Sequence, residues 1–424
     1  MPTAHELTTA VRDFVRETVI PVEVAHAGVL HAGGPGGPGI PGIAGVDAVG
    51  GLPAEDRLRA DLQAAARDAG LLAPHLASGP LGRRLTTLEQ AAVFEAAGYS
   101  LFGPIALNIA APDEGNLHLL ERVGTAAQRE RWVAPLADAR IRSAFAMTEP
   151  PPGAGSDPRA LRTRAERVPG GWRITGEKWF ITGARGADLL ICMARTSGEP
   201  GDADGATAFL VPGDCAGLEV VRDLGTVDAS MAGGHGVVRF DGCLVPDDAV
   251  LGEVGGGFAA AQVRLAPARL THCMRWLGIA GRAHDLALAH VTERRAFGAR
   301  IADLGLAQQH LADDEIDLAA SRALIRETAR VLDAVDAGEA EAGDAGTATS
   351  IAKTFVSEAV GRVVDRAVQL AGGQGVSDEL LLSRYWREVR AFRIYDGSSE
   401  THRWSIAKRA VRRFAEGGRH DLGR

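Results

Sequence analysis

Cysteine is scarce in this 424-residue chain: Cys192, Cys215, Cys243 and Cys273 stand far apart, with no Cys-x-x-Cys pair and no zinc spacing. That leaves no sequence basis for a disulfide framework or a metal centre, and the thiols read as reduced, semi-buried side chains. Positive charge is also in deficit, 46 Lys and Arg against 54 Asp and Glu, for a formal net charge of -8. A dedicated nucleic-acid binder shows a basic face, so that class is disfavoured. An anionic ligand must then be met locally, by placed arginines or backbone amides. Long apolar runs are missing too, since no window approaches the roughly 18 apolar residues of a membrane span. The N-terminal MPTAHELTTAVRDFVRETV interleaves acids and arginines with apolar residues at helical spacing, unlike the apolar core of a signal peptide. These absences together predict a cytoplasmic protein with no metal and no membrane span.

What is present is ordinary globular composition, 46% hydrophobic and 24% charged, in a chain long enough for two or three domains. Between Ala27 and Pro53 glycine and proline are too dense for a helix or central strand, which predicts a loop or insertion. Helical periodicity marks LRADLQAAARDAGLLAPHL, TTLEQAAVFEAAGYSLFG and EGNLHLLERVGTAAQRERWVAPLADA. From about Ala144 short alternating runs such as GWRITG, KWFITG, ADLLICMARTS and GGHGVVRFDGCLVP predict a small antiparallel β domain. After VLGEVGGGF long amphipathic segments return and suit a helical bundle, with the charge-rich GEAEAGDAG before Thr347 read as a solvated loop.

Motifs inside this helix, sheet, helix order carry more. FAMTEPPPGAGSD (Phe145–Asp157) and GWRITGEKWFITGA (Gly171–Ala184), followed by VPDDAVLGEVGGGF, ERRAFG, QLAGGQG and IYDGSSETHR, resemble the acyl-CoA dehydrogenase family in order and spacing. APDEGNLHLLERVGTAAQRERW and APARLTHCMR most resemble its branch of family members 10 and 11 and bacterial relatives. The fold this implies is mainly α with a central β domain: an N-terminal helical domain (1–143), a small antiparallel β barrel or sandwich (144–252), and a C-terminal four-helix bundle (253–424).

The resemblance implies FAD, with an acyl-CoA substrate, an electron-transfer flavoprotein as electron acceptor, and a dimer or tetramer holding FAD at a subunit boundary. A flavin enzyme must hold a flat ring with one face open and polarise it by hydrogen bonds as charge builds up. By resemblance Phe145, Met147 and Thr148 line the ring edge, while Phe180 and Thr182 pack on it and bond it from the next strand pair. Arg294 matches a residue that reaches the pyrophosphate or adenosine of a neighbouring subunit's FAD, a task suited to a guanidinium fork, with Phe297 beside it. Gln369, Gly372 and Gly373 are expected at the same dinucleotide, and Ser398 and Glu400 near the flavin. Without the resemblance, Gly372-Gly373 reads as a helix C-cap and Glu400 as a helix N-terminal acid. Ser156, Arg269 and Gly397 are expected beside the thioester. The chain departs from the family pattern at TEPPPGAGSD, two residues longer than usual within its proline run, and at Gly305, where members carry glutamine.

Removing a proton α to a thioester needs a base opposite the flavin. The family supplies it either from the helix residue before the arginine, Ala268 here, or from a YEG-type turn, Tyr395-Asp396-Gly397 here. Asp396 is therefore the expected base. Asp is one methylene shorter than Glu, which withdraws the carboxylate by about 1.5 Å at fixed backbone. The pattern leaves open a nitroalkane-oxidase-like enzyme, an acyl-carrier-protein dehydrogenase, a flavin hydroxylase or an inactive homologue.

Overall fold

The computed structural model describes residues 3–25, 54–76, 81–228 and 234–416. The Gly/Pro-rich stretch expected to form a loop or insertion lies outside them. The chain forms two compact units, Met1–Leu85 with Ala96–Ala268, and Thr86–Glu95 with Arg269–Arg424.

In the first unit α1 (Ala4–Phe14) opens on a capping box: Thr3 Oγ1 accepts from the Glu6 amide, and the Glu6 carboxylate accepts from the Thr3 amide. A π turn (Val15–Val19) carries it into α2 (Ile20–Ala25). There follow α3 (Ala54–Asp68), α4 (Thr87–Ala97), which mostly belongs to the second unit, α5 (Gly103–Ala106), α6 (Asp113–Val123) and α7 (Ala126–Ala137). The helical pattern expected to run through Leu76 stops at Asp68, because Gly70 takes φ +69 and closes the helix. A second capping box, Thr125 with Gln128, starts α7 and splits one periodic stretch into two helices.

Eight strands follow: β1 (Ser143–Ala146), β2 (Arg164–Val168), β3 (Gly171–Thr182), β4 (Leu189–Arg195), β5 (Ala206–Pro212), β6 (Leu218–Asp223), β7 (His235–Pro246) and β8 (Val250–Leu251). Their order is β6-β7-β3-β2-β4-β5-β8, with β1 on β4. Trp172, Ile174, Leu190, Cys192, Phe209, Val238 and Phe240 form the core against this sheet. Two expectations are corrected. Among the described residues the sheet is an open path rather than a closed barrel, and it is mixed rather than antiparallel, since β1 and β2 both run parallel to β4. A parallel pair needs a crossover between its strands, and the β2–β3 hairpin supplies one for β1 and β4. Helices and sheet are locked by polar contacts: Asp113 Oδ1 accepts from the amide (2.7 Å) and hydroxyl (2.6 Å) of Ser143, and Gln128 Nε2 donates to the Asp248 and Val250 carbonyls at 2.8 Å.

α8 (Gly257–Glu293) enters the second unit at Arg269. A two-stranded ribbon of β9 (Arg295–Ala296) and β10 (Ala299–Arg300) follows, then α9 (Gly305–Asp336), α10 (Ala342–Ala371), α11 (Leu382–Phe392) and α12 (Ser399–Glu416). The loop expected over GEAEAGDAG is shorter than that, because α10 already begins at Ala342. α9 and α10 are laced together by Arg362 on Asp317 and by Arg366 on Asp314 and Asp317. On α8, His284 Nδ1 lies 3.2 Å from the fully buried Asp314 carboxylate.

Candidate active site

In the first unit the two motifs expected to hold a flavin meet. Beyond the end of β1, Thr148 accepts the Trp179 amide on its carbonyl (3.0 Å) and donates its hydroxyl to the Trp179 carbonyl (2.6 Å). β3 is irregular at that point: its pairing with β7 shifts between Lys178 and Ile181, and Phe180 sits at φ +51 with 49% of its surface exposed. A left-handed, half-exposed phenylalanine costs the fold on both counts, the situation expected of a residue kept for a ligand. One turn of strand further on, Thr182 Oγ1 is 3.0 Å from His235 Nδ1. Phe145 lies under the Arg264 guanidinium, 4.3 Å from its ring centroid, and Arg264 is in turn fixed on Asn116 Oδ1 at 2.7 Å.

Beneath these residues is a pair the sequence did not reveal. Lys178 and Glu149, both buried, meet at 2.8 Å, and Lys178 Nζ also donates to the Met147 carbonyl at 3.1 Å. The Glu149 carboxylate collects the amides of Arg162 (2.7 Å) and Thr163 (2.8 Å). Burial raises its pKa, but Lys178 and these donors outweigh that and hold it below the usual value. The two extra residues of TEPPPGAGSD are absorbed in a closed turn, with the Gly153 amide on the Pro150 carbonyl and the Glu149 amide on the Ala154 carbonyl. Ser156 lies beyond that turn, exposed.

In the second unit Asp396 and Gly397 form a left-handed turn, φ +53 and +96. Each carbonyl is held by donors from other elements. That of Asp396 accepts from Arg269 Nε on α8 (3.0 Å) and His402 Nε2 on α12 (3.1 Å), and that of Gly397 from Lys353 Nζ on α10 (2.6 Å). A Cβ on Gly397 would stand 2.7 Å from His402 Nε2, so glycine is required by both space and φ. The Asp396 carboxylate itself lies 3.2 Å from His272 Nε2. Burial pushes Lys353 down to about 8, opposed by Asp396, and pushes His402 down to about 4 with help from Arg269 and Lys353. His402 is thus neutral at physiological pH and donates through Nε2. Burial also lowers Arg269, while Asp396 raises it.

The remaining expected residues fall at other places on this unit. Ser398 caps α12 through the Thr401 amide (3.3 Å), and Glu400 in the first turn is exposed, its pKa lowered by a backbone hydrogen bond. Phe297 and Gly298 form the tip of the β9–β10 ribbon, with Phe297 at φ +52 and 95% exposed. Among the described residues the Arg294 side chain has no hydrogen-bond or ion-pair partner, whereas nearby Asp303 is taken by Arg300. Gln369 is exposed at the end of α10. Gly372 needs its φ of +57, but Gly373 has neither positive φ nor any atom within 4 Å of an added Cβ. No contact among the described residues explains that second glycine, and close approach of a ligand would. Within this unit an arginine without a partner among the described residues, a strained and uncovered aromatic and an open glycine pair suit the dinucleotide that the sequence implies.

His272, Lys353 and Lys178 were not singled out from the sequence, and His402 reads there only as a helix residue. A signal existed: the chain has three lysines, Lys178, Lys353 and Lys408, and the first two are fully buried. Where arginine carries nearly all surface positive charge, a retained lysine marks a position that needs a compact ammonium.

Family models for the N-terminal, middle and C-terminal domains of acyl-CoA dehydrogenase match residues 45–140, 144–243 and 255–411. "Probable acyl-CoA dehydrogenase FadE2" of Mycobacterium tuberculosis is 39% identical over 332 residues, 78% of this chain and 80% of that protein. Acyl-CoA dehydrogenase family member 10 of Mus musculus is 35% identical over 77% of this chain, which spans only 30% of that longer protein. Among solved structures, one described as "Structure of a putative acyl-CoA dehydrogenase from Mycobacterium abscessus" superposes with a TM-score of 0.86 at 35% identity, covering 98% of this chain and 100% of that one. Another, described as "FAD complex of PigA", shares the fold at a TM-score of 0.82 and 20% identity, covering 97% of this chain and 98% of that one.

Proposed function

This chain belongs to the acyl-CoA dehydrogenase family, and we propose that it oxidises an acyl-CoA thioester to the 2,3-enoyl thioester, with FAD as cofactor and Asp396 as general base. FAD, when bound, would supply the hydride acceptor for the β carbon. Asp396 takes the α proton on its carboxylate. What supports this role is the Asp396–Gly397 turn, held at both carbonyls by Arg269, His402 and Lys353 from three separate helices. A base that must work within about 3 to 3.5 Å of its target needs such a mount. The alternative family position is the apolar, buried Ala268.

The other residues divide by chemistry. Thr148 has given its hydroxyl proton to the Trp179 carbonyl, so it offers lone pairs to an N–H of the ring edge. Phe145, the Met147 backbone and Thr182 would complete that edge, and Phe180 would pack on the ring. Arg294, Phe297, Gln369, Gly372 and Gly373 would take the dinucleotide end of a second subunit's FAD, which would make the working assembly at least a dimer. Ser398 and Glu400 would serve the flavin, and Ser156, Arg269 and Gly397 the thioester, as the family resemblance implies. An electron-transfer flavoprotein in the cytoplasm would serve as the electron acceptor.

The purified protein should be yellow, and anaerobic addition of octanoyl-CoA, palmitoyl-CoA or isobutyryl-CoA should bleach it for at least one chain type. Asp396→Asn should retain FAD and lose bleaching. Bleaching at the wild-type rate in that variant would dismiss Asp396 as the base, and rapid reoxidation of the bleached enzyme by air would mark an oxidase instead.

A further inference from the structure

The Asp396 carboxylate carries a contact that the base assignment alone does not explain. His272 lies one turn after Arg269 on α8, with Nε2 at 3.2 Å from Asp396 Oδ2 and Nδ1 at 3.0 Å from an Arg275 guanidinium nitrogen. Its ring is buried against Tyr395 (centroids 4.9 Å apart) and Phe392 (6.0 Å). We propose that His272 is a positioning residue: a neutral imidazole, fixed as the Nε2–H tautomer by Arg275, that donates to Oδ2 and orients the short carboxylate for proton abstraction. This rests on the reading of Asp396 as the base.

The tautomer follows from donor chemistry. A guanidinium has only N–H donors, so the Nδ1 facing Arg275 must accept with its lone pair. A neutral imidazole then carries its one proton on Nε2, which faces the carboxylate. A second proton on Nδ1 would set N–H against N–H and place a cation beside the buried Arg275. His272 is therefore a donor that does not compete with Asp396 for the substrate proton. With Oδ2 occupied, rotation of the carboxylate about its last bond is restricted, which fixes the direction of Oδ1. Aspartate lacks the methylene that would let a glutamate adjust its reach, so orientation matters more here.

The charged and titratable groups around Asp396 separate by pH range. Arg269 and His272 come from α8, Lys353 from α10 and His402 from α12. Arg269 keeps its charge throughout, and His402, at about 4, is neutral across the working range. Lys353, at about 8, belongs to the alkaline side, leaving the acid limb of a rate profile to Asp396. A lost donor raises the pKa of a carboxylate.

The first test needs no substrate. In protein labelled with 15N-histidine, the signal that disappears in His272→Gln should report a neutral Nε2–H imidazole at neutral pH. An Nδ1–H tautomer or an imidazolium there would overturn the proposal. The second follows anaerobic flavin reduction by the acyl-CoA that bleaches wild type best. His272→Phe should move the acid limb up by roughly one pH unit and slow reduction about tenfold with little change in KM. His272→Gln, whose amide can donate from the same reach, should bring the limb back. A wild-type limb in His272→Phe, with Asp396→Asn inactive, would remove the positioning role and leave the base intact. An active Asp396→Asn would remove both.

Discussion

Lys353 offers the most quantitative handle on the candidate site. Its side chain is fully buried, and its ammonium donates to the Gly397 carbonyl at 2.6 Å while Asp396, Cys273 and Arg269 act on it electrostatically. A fall from 10.5 in the unfolded chain to about 8 in the folded one corresponds to about 3 kcal/mol, at about 1.4 kcal/mol per pH unit. The sign is fixed by proton counting. Between about pH 8 and 10.5 the unfolded chain holds a proton that the folded chain has released, so stability from this group rises with pH across that window. It is absent below about pH 8, where both forms are protonated and the fold bears the whole cost of a buried ammonium.

Lys353→Met should remove that burial cost near neutral pH but lose a hydrogen bond to a charged group, worth about 1.5 to 3 kcal/mol. The two nearly cancel, so the variant should be within about 1.5 kcal/mol of wild type at pH 7. As pH rises from about 8 toward 10.5, wild type should gain on the variant by up to about 3 kcal/mol. Urea unfolding of both proteins at fixed protein and FAD concentrations would measure this. Flavin reduction should fall by about one to two powers of ten, since the turn loses an anchor. A stability difference that stays flat from neutral to alkaline pH would refute the reasoning.

The buried pair in the β-sheet unit gives a second prediction: Lys178→Met leaves the Glu149 carboxylate without its counter-charge and should cost about 3 to 5 kcal/mol, with loss of bound flavin. Thermal unfolding of this variant and of Lys178→Met/Glu149→Gln decides it, the double variant being expected to recover part of the loss, and a single-variant cost below about 1 kcal/mol would dismiss the pair as an anchor. For His284, burial lowers the pKa, but Asp314 and Glu315 outweigh that and raise it above 6.5. Its contribution to stability is therefore full below pH 6.5 and is lost as pH rises through the folded value. The melting-point gap between wild type and His284→Gln should accordingly be wider at about pH 6 than at about pH 9, and an equal gap would contradict the assignment.

The helix, sheet, helix order was legible because it rests on local rules. Apolar period, capping residues such as Thr125 with Gln128, and left-handed glycines such as Gly70 act over a few positions. The Asp396-Gly397 turn was legible for the same reason. Sheet closure was not: the parallel pairing of β1 with β4 joins residues more than 40 positions apart, and no local pattern encodes which strand edge a segment will find. Lys178 was hidden likewise, because its need for burial comes from Glu149, 29 positions away.

By itself the sequence determined the family, the order of its elements and the Asp396-Gly397 turn that carries the proposed base. Each of these depends on residue identity and short-range spacing. Only the tertiary structure decided how that acid is mounted. Arg269 and His272 on α8 and Lys353 on α10 reach the turn from distant parts of the chain, and His402 closes on it from the first turn of α12. Hydrogen-bond direction and burial, which set the protonation state of each partner, exist only once those helices have packed.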